Sequence, residues 1–495
     1  MSEVSVLPVM LIVFPILMAI MPIILGLRFD RTGWPIAVGT SLVLVVVTGA
    51  MAAVVYGRGE PIVHALGGFN GPVGIELVAD ELSTLVALLI SLVVLGVLLY
   101  TRTAGPRGNT IYSMYLLLTG GLLGVAVTGD AFNLFVFLEI TGIATYALIA
   151  SGGKAESAYA SLKYLILGTV GASLYLLGVG FLFMATGTLN MADLGSAIST
   201  LGSQEPLLRI GFVFILVGLS LKVAQWPLHT WQPDAYQHAP DGFTPLIAAL
   251  VSTVSAYAMA RVFFEIFGVG FIESTPYLTE LIVAIGSVSV VVGSGLAVIQ
   301  QDVKRMLAYS SVAQFGLIVA AYGLLTEVAL LGAIVHLVGH GLMKGGLFLA
   351  VAMVALSTGA RTVDEYAGLA RRRPLLSAMI AVLLVAMVGL PPTIGFVGKW
   401  YIALGAIQAE VWSVAAVVLL STLFTLAYSA RLLEKMYVTP AATSAIADGG
   451  ETDPNRLTGG MYAVLVLCVV LVVALGFAGG TLFELLEPFL SGVSP

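Results

Sequence analysis

Polar positions are the exception along this chain. Apolar runs of roughly the 20 residues needed to cross a hydrocarbon core of about 30 Å recur from Val4 to Leu486, divided by short polar connections. The pattern predicts an all-α polytopic membrane protein with about fourteen spans: 5–27, 34–56, 79–100, 112–128, 131–151, 160–185, 208–228, 243–266, 278–300, 306–324, 327–357, 375–404, 411–433 and 461–484. The first run, Leu7 to Leu27, exceeds the apolar core of a signal peptide and has no basic region ahead of it, so it reads as a retained first helix. The spans form one continuous bundle with no soluble domain.

Two stretches interrupt helical regularity inside the apolar zone. One is Trp226-Pro227 leading into Gln232-Pro233-Asp234; the other is Gly389-Leu390-Pro391-Pro392 followed by Gly395. Proline removes a backbone donor and clashes one turn back, and in lipid such a break survives only where protein or water satisfies the freed carbonyls. Both therefore mark interior cavities in broken helices, the seventh and the twelfth. They lie five spans apart with Lys222 and Lys399 nearby, an arrangement expected of a duplicated transporter unit. The expected organisation is an N-terminal set of three helices (1–110), a first five-helix repeat (111–267), a second, inverted one (278–433), and a loop with the last helix (434–495).

Composition agrees with this class: 59% of residues are hydrophobic and only 10% charged, which excludes a soluble multi-domain protein. A single cysteine, Cys468, excludes disulfide frameworks, thiolate iron–sulfur ligation and zinc knuckles, so no cofactor or metal is expected. No nucleic-acid partner is expected either. The formal charge of −6 matters less than its distribution. Fifteen Lys and Arg fall in or near the connections after odd-numbered spans, among them Arg28, Arg31, Arg102, Arg107, Lys304 and Arg371, against three, Arg58, Arg209 and Arg261, on the other side. Positive residues mark the cytoplasmic side, so both termini are expected outside the cell membrane.

Against this background, a charge deep in a span points to function, because it costs about 2.5–3.5 kcal/mol on insertion scales. Glu139 lies about 12 Å along the fifth span, near mid-membrane. Lys222 lies one turn before Pro227, where freed carbonyls can solvate an ammonium and a shifted lysine can exchange a proton with Glu139. In the eleventh span His336, His340 and Lys344 recur every fourth residue on one face, about 6 Å apart along the axis, a ladder able to relay protons. Lys399 follows the double-proline break and can end the chain of carriers.

Each has a plainer reading. A lone intramembrane lysine can be half of a structural ion pair, and Lys399 can snorkel to the outer interface. The two histidines can ligate zinc or haem at i, i+4, but no third ligand is evident. Arg261 and Glu265 read as a local pair near the outer surface, and His64 as a solvated loop residue. His229 and His238 suit proton uptake and helix capping equally.

The segments Asp130-Ala-Phe-Asn-Leu-Phe-Val-Phe-Leu-Glu139, Lys222-Val-Ala-Gln-Trp-Pro-Leu-His-Thr-Trp-Gln-Pro-Asp-Ala235, His336-Leu-Val-Gly-His340 with Lys344, and Gly395-Phe-Val-Gly-Lys399 resemble the antiporter-like subunits of respiratory complex I and of Mrp-type cation/proton antiporters. Within that family the stretch Gly187-Thr-Leu-Asn-Met-Ala-Asp-Leu194 is similar to the D subunits of Mrp antiporters. The resemblance implies proton translocation through Glu139, Lys222, His336, His340, Lys344 and Lys399. Its implied setting is a multi-subunit antiporter exchanging protons with sodium or another monovalent cation, with other membrane subunits as partners. The same fold inside a redox-driven complex I-like or hydrogenase assembly is the alternative, and a non-conducting scaffold is a third. One departure stands out: the family usually carries a lysine or histidine in the eighth span, whereas Ala249–Tyr257 offers only hydroxyls, so a direct side-chain relay is interrupted; either water held by Ser252, Thr253 and Ser255 bridges the gap, or the subunit conducts poorly and couples its neighbours electrostatically.

Overall fold

In lipid every backbone N–H and C=O must be satisfied within the protein, and a helix does this without help from its neighbours. A computed structural model of the chain describes residues 3–69, 71–105, 107–440 and 457–493. Helices α1 (Leu7–Gly26) and α2 (Gly33–Arg58) lead into an antiparallel hairpin of β1 (Ile62–Ala65) and β2 (Glu76–Ala79). His64 sits in β1 opposite Leu77 and is buried. The expectation of a solvated loop histidine is therefore corrected, because strand pairing turns its side chain inward.

There follow α3 (Glu81–Thr101), α4 (Asn109–Val127), α5 (Ala131–Ala150), α6 (Ala155–Thr186) and the short α7 (Met191–Leu201). Next come α8 (Pro206–Val223), α9 (Trp231–His238), α10 (Thr244–Ser274), α11 (Leu278–Ile299), α12 (Val303–Tyr322) and α13 (Glu327–Thr358). The chain closes with α14 (Pro374–Val388), α15 (Ile394–Gln408), α16 (Trp412–Tyr437), α17 (Gly459–Phe477) and α18 (Gly479–Val493).

Among the described residues, twelve segments are long and apolar enough to cross a membrane, with α8 and α9 together counted as one. Two of the expected spans are not among them. One is α12, which carries Lys304, Arg305, Ser310, Ser311 and Gln314. The other, 375–404, is divided into the 15-residue helices α14 and α15. The last expected span ends at Phe477 rather than at 484. After it α18 turns back onto the bundle, placing the Phe489 ring 5.3 Å from the Arg261 guanidinium.

Burial is graded across the bundle. The most apolar windows of α10 and α13 are wholly buried, against 28% for the segment containing α1 and 22% for α17. These two central helices form the axis on which charged groups can be kept from lipid. Around them helices approach closely through glycines: a Cβ at Gly218 of α8 would lie 2.6 Å from the Gly171 carbonyl oxygen of α6, and one at Gly316 of α12 2.7 Å from that of Gly286 on α11.

The interruptions have a local cause. At the end of α8, Ala224 takes left-handed geometry (φ 65°), and the N–H groups of Ala224 and Gln225 turn back to the carbonyls of Leu221 and Ser220. At the end of α14, Gly389 does the same (φ 89°). Gln232-Pro233-Asp234, expected within the first break, instead lies in α9, so helical geometry resumes at Trp231. A third irregularity was not expected: two residues past Pro245 α10 widens into π-helical turns over Ile247–Val251, and again over Val262–Phe267, a form frequent at functional sites.

Candidate functional site

The site begins with α5, whose first turn is capped by Asp130 accepting from the Asn133 N–H at 2.7 Å. This cap sets the register that carries Glu139 to the buried end of α8. There the Lys222 ammonium donates to Glu139 Oε1 at 2.9 Å, with the lysine 4% and the glutamate 22% exposed. Gly142, nearly one turn beyond Glu139, makes the room: a Cβ there would stand 3.5 Å from Lys222 Nζ and 2.9 Å from the Tyr146 hydroxyl. An aromatic column backs the pair. Tyr146 meets Tyr164 edge-on at 4.7 Å, Tyr164 stacks on Trp231 at 3.8 Å, and Trp231 Nε1 donates to the Leu221 carbonyl at 2.9 Å. That last bond ties α9 back to the end of α8, on one of the carbonyls at the break that the Ala224 N–H also reaches. The expected solvation of Lys222 by those carbonyls is thus not what is found; Glu139 does it.

From α9, Gln232 Nε2 donates to the Tyr236 hydroxyl at 3.1 Å and to Ser252 Oγ of α10 at 2.9 Å. Ser252 follows directly on the first π-helical stretch. Ser220 Oγ, both amide atoms of Gln225, Gln232 Oε1 and Thr253 Oγ1 are buried without a protein partner. Unpaired polar atoms at this density suit ordered water, which makes about three hydrogen bonds where it is buried. Gln225 and Gln232 were passed over in the sequence because they carry no charge; their signal was an amide beside a proline break in an otherwise apolar span.

The ladder on α13 is fully enclosed, with His336 at 1% and His340 and Lys344 at 0% exposure. Helix α12 supplies its partners turn by turn. Lys344 donates to the Leu307 carbonyl at 2.7 Å and to Ser310 Oγ, His340 packs on the Phe315 ring at 4.4 Å, and His336 Nε2 meets Gln314 Oε1 at 2.8 Å. Gly341 and Gly345 let α10 reach the ladder: a Cβ on Gly341 would lie 3.2 Å from the Ala249 carbonyl oxygen. Among the described residues no group of His, Cys, Asp or Glu is arranged to hold a metal ion.

Lys399 does not snorkel. It is 4% exposed, and its ammonium donates to the Met387 and Val388 carbonyls at 3.1 and 3.0 Å, the ones left open where α14 ends before Pro391 and Pro392. Its neighbour Gly398 packs on His336, where a Cβ would stand 2.7 Å from the His336 Cβ. Two groups therefore emerge: Glu139 with Lys222, and Lys344, His340, His336 with Lys399. Among the described residues no direct side-chain hydrogen bond joins them, and the Gln225, Gln232, Ser252 and Thr253 cluster lies on the elements between.

His229 is buried with Nδ1 unpaired and its ring 6.0 Å from Tyr309; His238 is half-buried, and its carbonyl accepts from Ser157 Oγ at 2.8 Å. Around them Asp234 takes Lys163 and Arg305, each at 2.7 Å. Asp241 takes Lys304 at 3.0 Å and Arg361 at 2.9 Å. Burial pushes the Asp241 carboxyl up, but the Lys304 and Arg361 cations override it and hold the group down at about 2. These contacts fix the half-helix α9 between α6 and α12. At the opposite end Arg261 pairs with Glu265, as expected, and also with Asp80, and is buried rather than superficial.

The profile of the family described as NADH:quinone oxidoreductase/Mrp antiporter, transmembrane, matches residues 128–425. The chain is 42% identical over 388 residues to the N-type subunit of the NADH-quinone oxidoreductase of Desulforudis audaxviator, covering 77% of this chain and 76% of that one. It is 33% identical over 389 residues to the D-type subunit of the Na(+)/H(+) antiporter of Bacillus subtilis, covering 78% of each. Among solved structures, a chain of the membrane-bound sulfane sulfur reductase, an archaeal respiratory membrane complex, superposes with a TM-score of 0.88 at 32% identity, over 98% of this chain and 97% of that one.

Proposed function

Because the chain belongs to the NADH:quinone oxidoreductase/Mrp antiporter membrane family, we propose that it is the proton-translocating subunit of a multi-subunit cation/proton antiporter. It is a multi-pass membrane protein, and it works beside other membrane subunits. The observation that carries the proposal is the Glu139–Lys222 pair, 2.9 Å apart inside two apolar helices. A buried pair has two discrete arrangements, closed or parted, and protonation of Glu139 favours the second. Lys222, released, has the buried, unpaired Gln225 amide three residues on, in the break. Water held by Gln225, Gln232, Ser252 and Thr253 then passes the proton towards Lys344, and the α13 ladder carries it through His340 and His336 to Lys399.

In this chemistry Gln225 in the break, Gln232 of α9 and the hydroxyls of α10 stand in for the charged residue usual in the eighth span. Gln232→Leu is expected to slow transport about tenfold, since it removes the amide that donates to both the Ser252 and the Tyr236 hydroxyls and would hold the bridging water. Gln232→Glu should be the milder change. Proteoliposomes holding the whole complex, driven by a sodium gradient and read with a pH-sensitive dye, measure this; an unchanged rate in Gln232→Leu would remove the water bridge from the pathway.

The relatives named for NADH-quinone oxidoreductase and sulfur reductase support a second reading, in which partner subunits supply redox energy to the same pathway. Iron–sulfur absorption in the complex purified in mild detergent would select it, and its absence would select the gradient-driven one.

We place the complex in the cell membrane with both termini outside, on the bias of Lys and Arg between the two sets of connections. A cysteine introduced at Ser2 is then expected to react with an impermeant maleimide in intact cells. Reaction only after the cells are opened would reverse the orientation.

A further inference from the structure

The strongest unassigned feature lies on the lipid-facing side, between the end of α3 and the start of α17. A cavity of about 530 Å³ is lined there by Trp34, Leu99, Arg102, Thr103, Thr458, Gly460, Ala463, Val464 and Leu467. Val464 and Leu467 also line a narrow crevice of about 40 Å³ above it, whose other walls include Gly96, Leu342, Gly345 and Cys468. The two are thus one groove. Its lower end is polar and cationic, and its upper end apolar. From Gly460 to Leu471 it follows α17 for about 16 Å, roughly half the hydrocarbon thickness, or the depth of one leaflet.

Close packing shapes the walls: Gly96 lets α17 approach α3, a Cβ there standing 3.3 Å from Val464. At the lower end Trp34 is fixed by donating from Nε1 to the Leu98 carbonyl at 2.8 Å, and the Arg102 guanidinium lies 5.2 Å from its ring centroid. Arg102 is exposed and, among the described residues, is paired with no carboxylate. The same rim carries Arg28, Arg31 and Arg107, since the Gly33 N–H donates to Asn109 Oδ1 at 2.8 Å and joins the two loops. Asp30 is the single carboxylate in 28–34 and 101–109.

We propose that this groove binds a phospholipid with an anionic headgroup, its phosphate on Arg102 beside Trp34 and Thr103 and one acyl chain in the crevice up to Gly345. A cationic, tryptophan-marked end at the interface joined to an apolar slot is the complement of an anionic amphiphile. A helix of a neighbouring subunit would have no use for four arginines at its foot unless it brought its own acids. The binding site is independent of the transport reading, and its test is read without transport.

In the intact complex, delipidated and titrated with phosphatidylglycerol under native mass spectrometry, one tightly held lipid per copy of this chain is expected. Arg102→Gln should weaken phosphatidylglycerol about fivefold and phosphatidylcholine, whose choline offsets the phosphate charge, clearly less. Arg102 is exposed, so the variant should fold. Equal loss for both lipids, or none for either, would overturn the proposal. So would the second arm, in which a benzophenone amino acid replaces Leu467 in the membrane-embedded complex: crosslinking to phospholipid supports it, and crosslinking to another subunit, or to this chain's own 439–457 segment, refutes it.

Discussion

Glu139→Gln and Lys222→Ala are each expected to reduce cation-driven proton movement by about a hundredfold or more while leaving the protein in the membrane. The two charges neutralise each other at 2.9 Å within apolar helices, and removing one partner of such a pair strands the other at about 3–5 kcal/mol. The stranding is unequal. Lys222 is 4% exposed and Glu139 22%, so Glu139→Gln leaves the more deeply enclosed charge alone and should lower thermal stability more than Lys222→Ala does. For transport the order disappears, because a switch with one terminal is no switch. The double variant should be scarcely worse than either single one, the non-additivity that coupled groups show. Glu139→Asp, which keeps the charge and shortens its reach, should retain part of the activity. Transport at the normal rate by Glu139→Gln, in a complex verified as assembled, would end the paired-charge mechanism in favour of a scaffold.

For Lys344, transport and stability should move apart. Its ammonium is wholly buried on the Leu307 carbonyl and the Ser310 hydroxyl, with no carboxylate among the partners found for it. Burying a charge against neutral acceptors is unfavourable, and replacing a buried charge by an apolar side chain of similar volume is often neutral or stabilising. Lys344→Met is therefore expected to hold or raise the melting temperature of the purified complex while cutting proton movement tenfold or more. A structural lysine predicts the opposite: lower stability and transport lost only in proportion to folded protein. Dye-quenching rates normalised to folded complex, alongside a thermal melt, separate the two.

The sequence was informative wherever the physics is one-dimensional. Lipid demands about twenty apolar residues per crossing, so most helices could be read from the runs alone, and a charge within such a run is conspicuous without coordinates. Glu139, Lys222, His336, His340, Lys344 and Lys399 were singled out in this way, as were the interruptions, because proline cannot donate a backbone hydrogen bond. The chain was least legible where polarity without charge carries the chemistry. Gln225, Gln232 and Gln314 are ordinary residues in a string of letters and become conspicuous only when each is found buried, Gln314 on His336 and Gln232 on Ser252. The widening of α10 was not legible either, since Pro245, two residues ahead of it, is equally at home in the first turn of an ordinary α-helix.

What the sequence determined by itself was the medium, the helical class, the approximate spans and the set of groups too expensive to bury idly. What only the tertiary structure decided was who stands beside whom. It gave Glu139 to Lys222 at 2.9 Å, turned Lys399 inward to the carbonyls of Met387 and Val388, and set α12 along the ladder. It also buried His64 and joined Arg261 to Asp80 across 181 positions of chain. Periodicity assigns a side chain to a face of its own helix. The partner of that face is chosen by packing among many helices at once, where close approach at a few glycines and the need to satisfy every freed carbonyl select one arrangement.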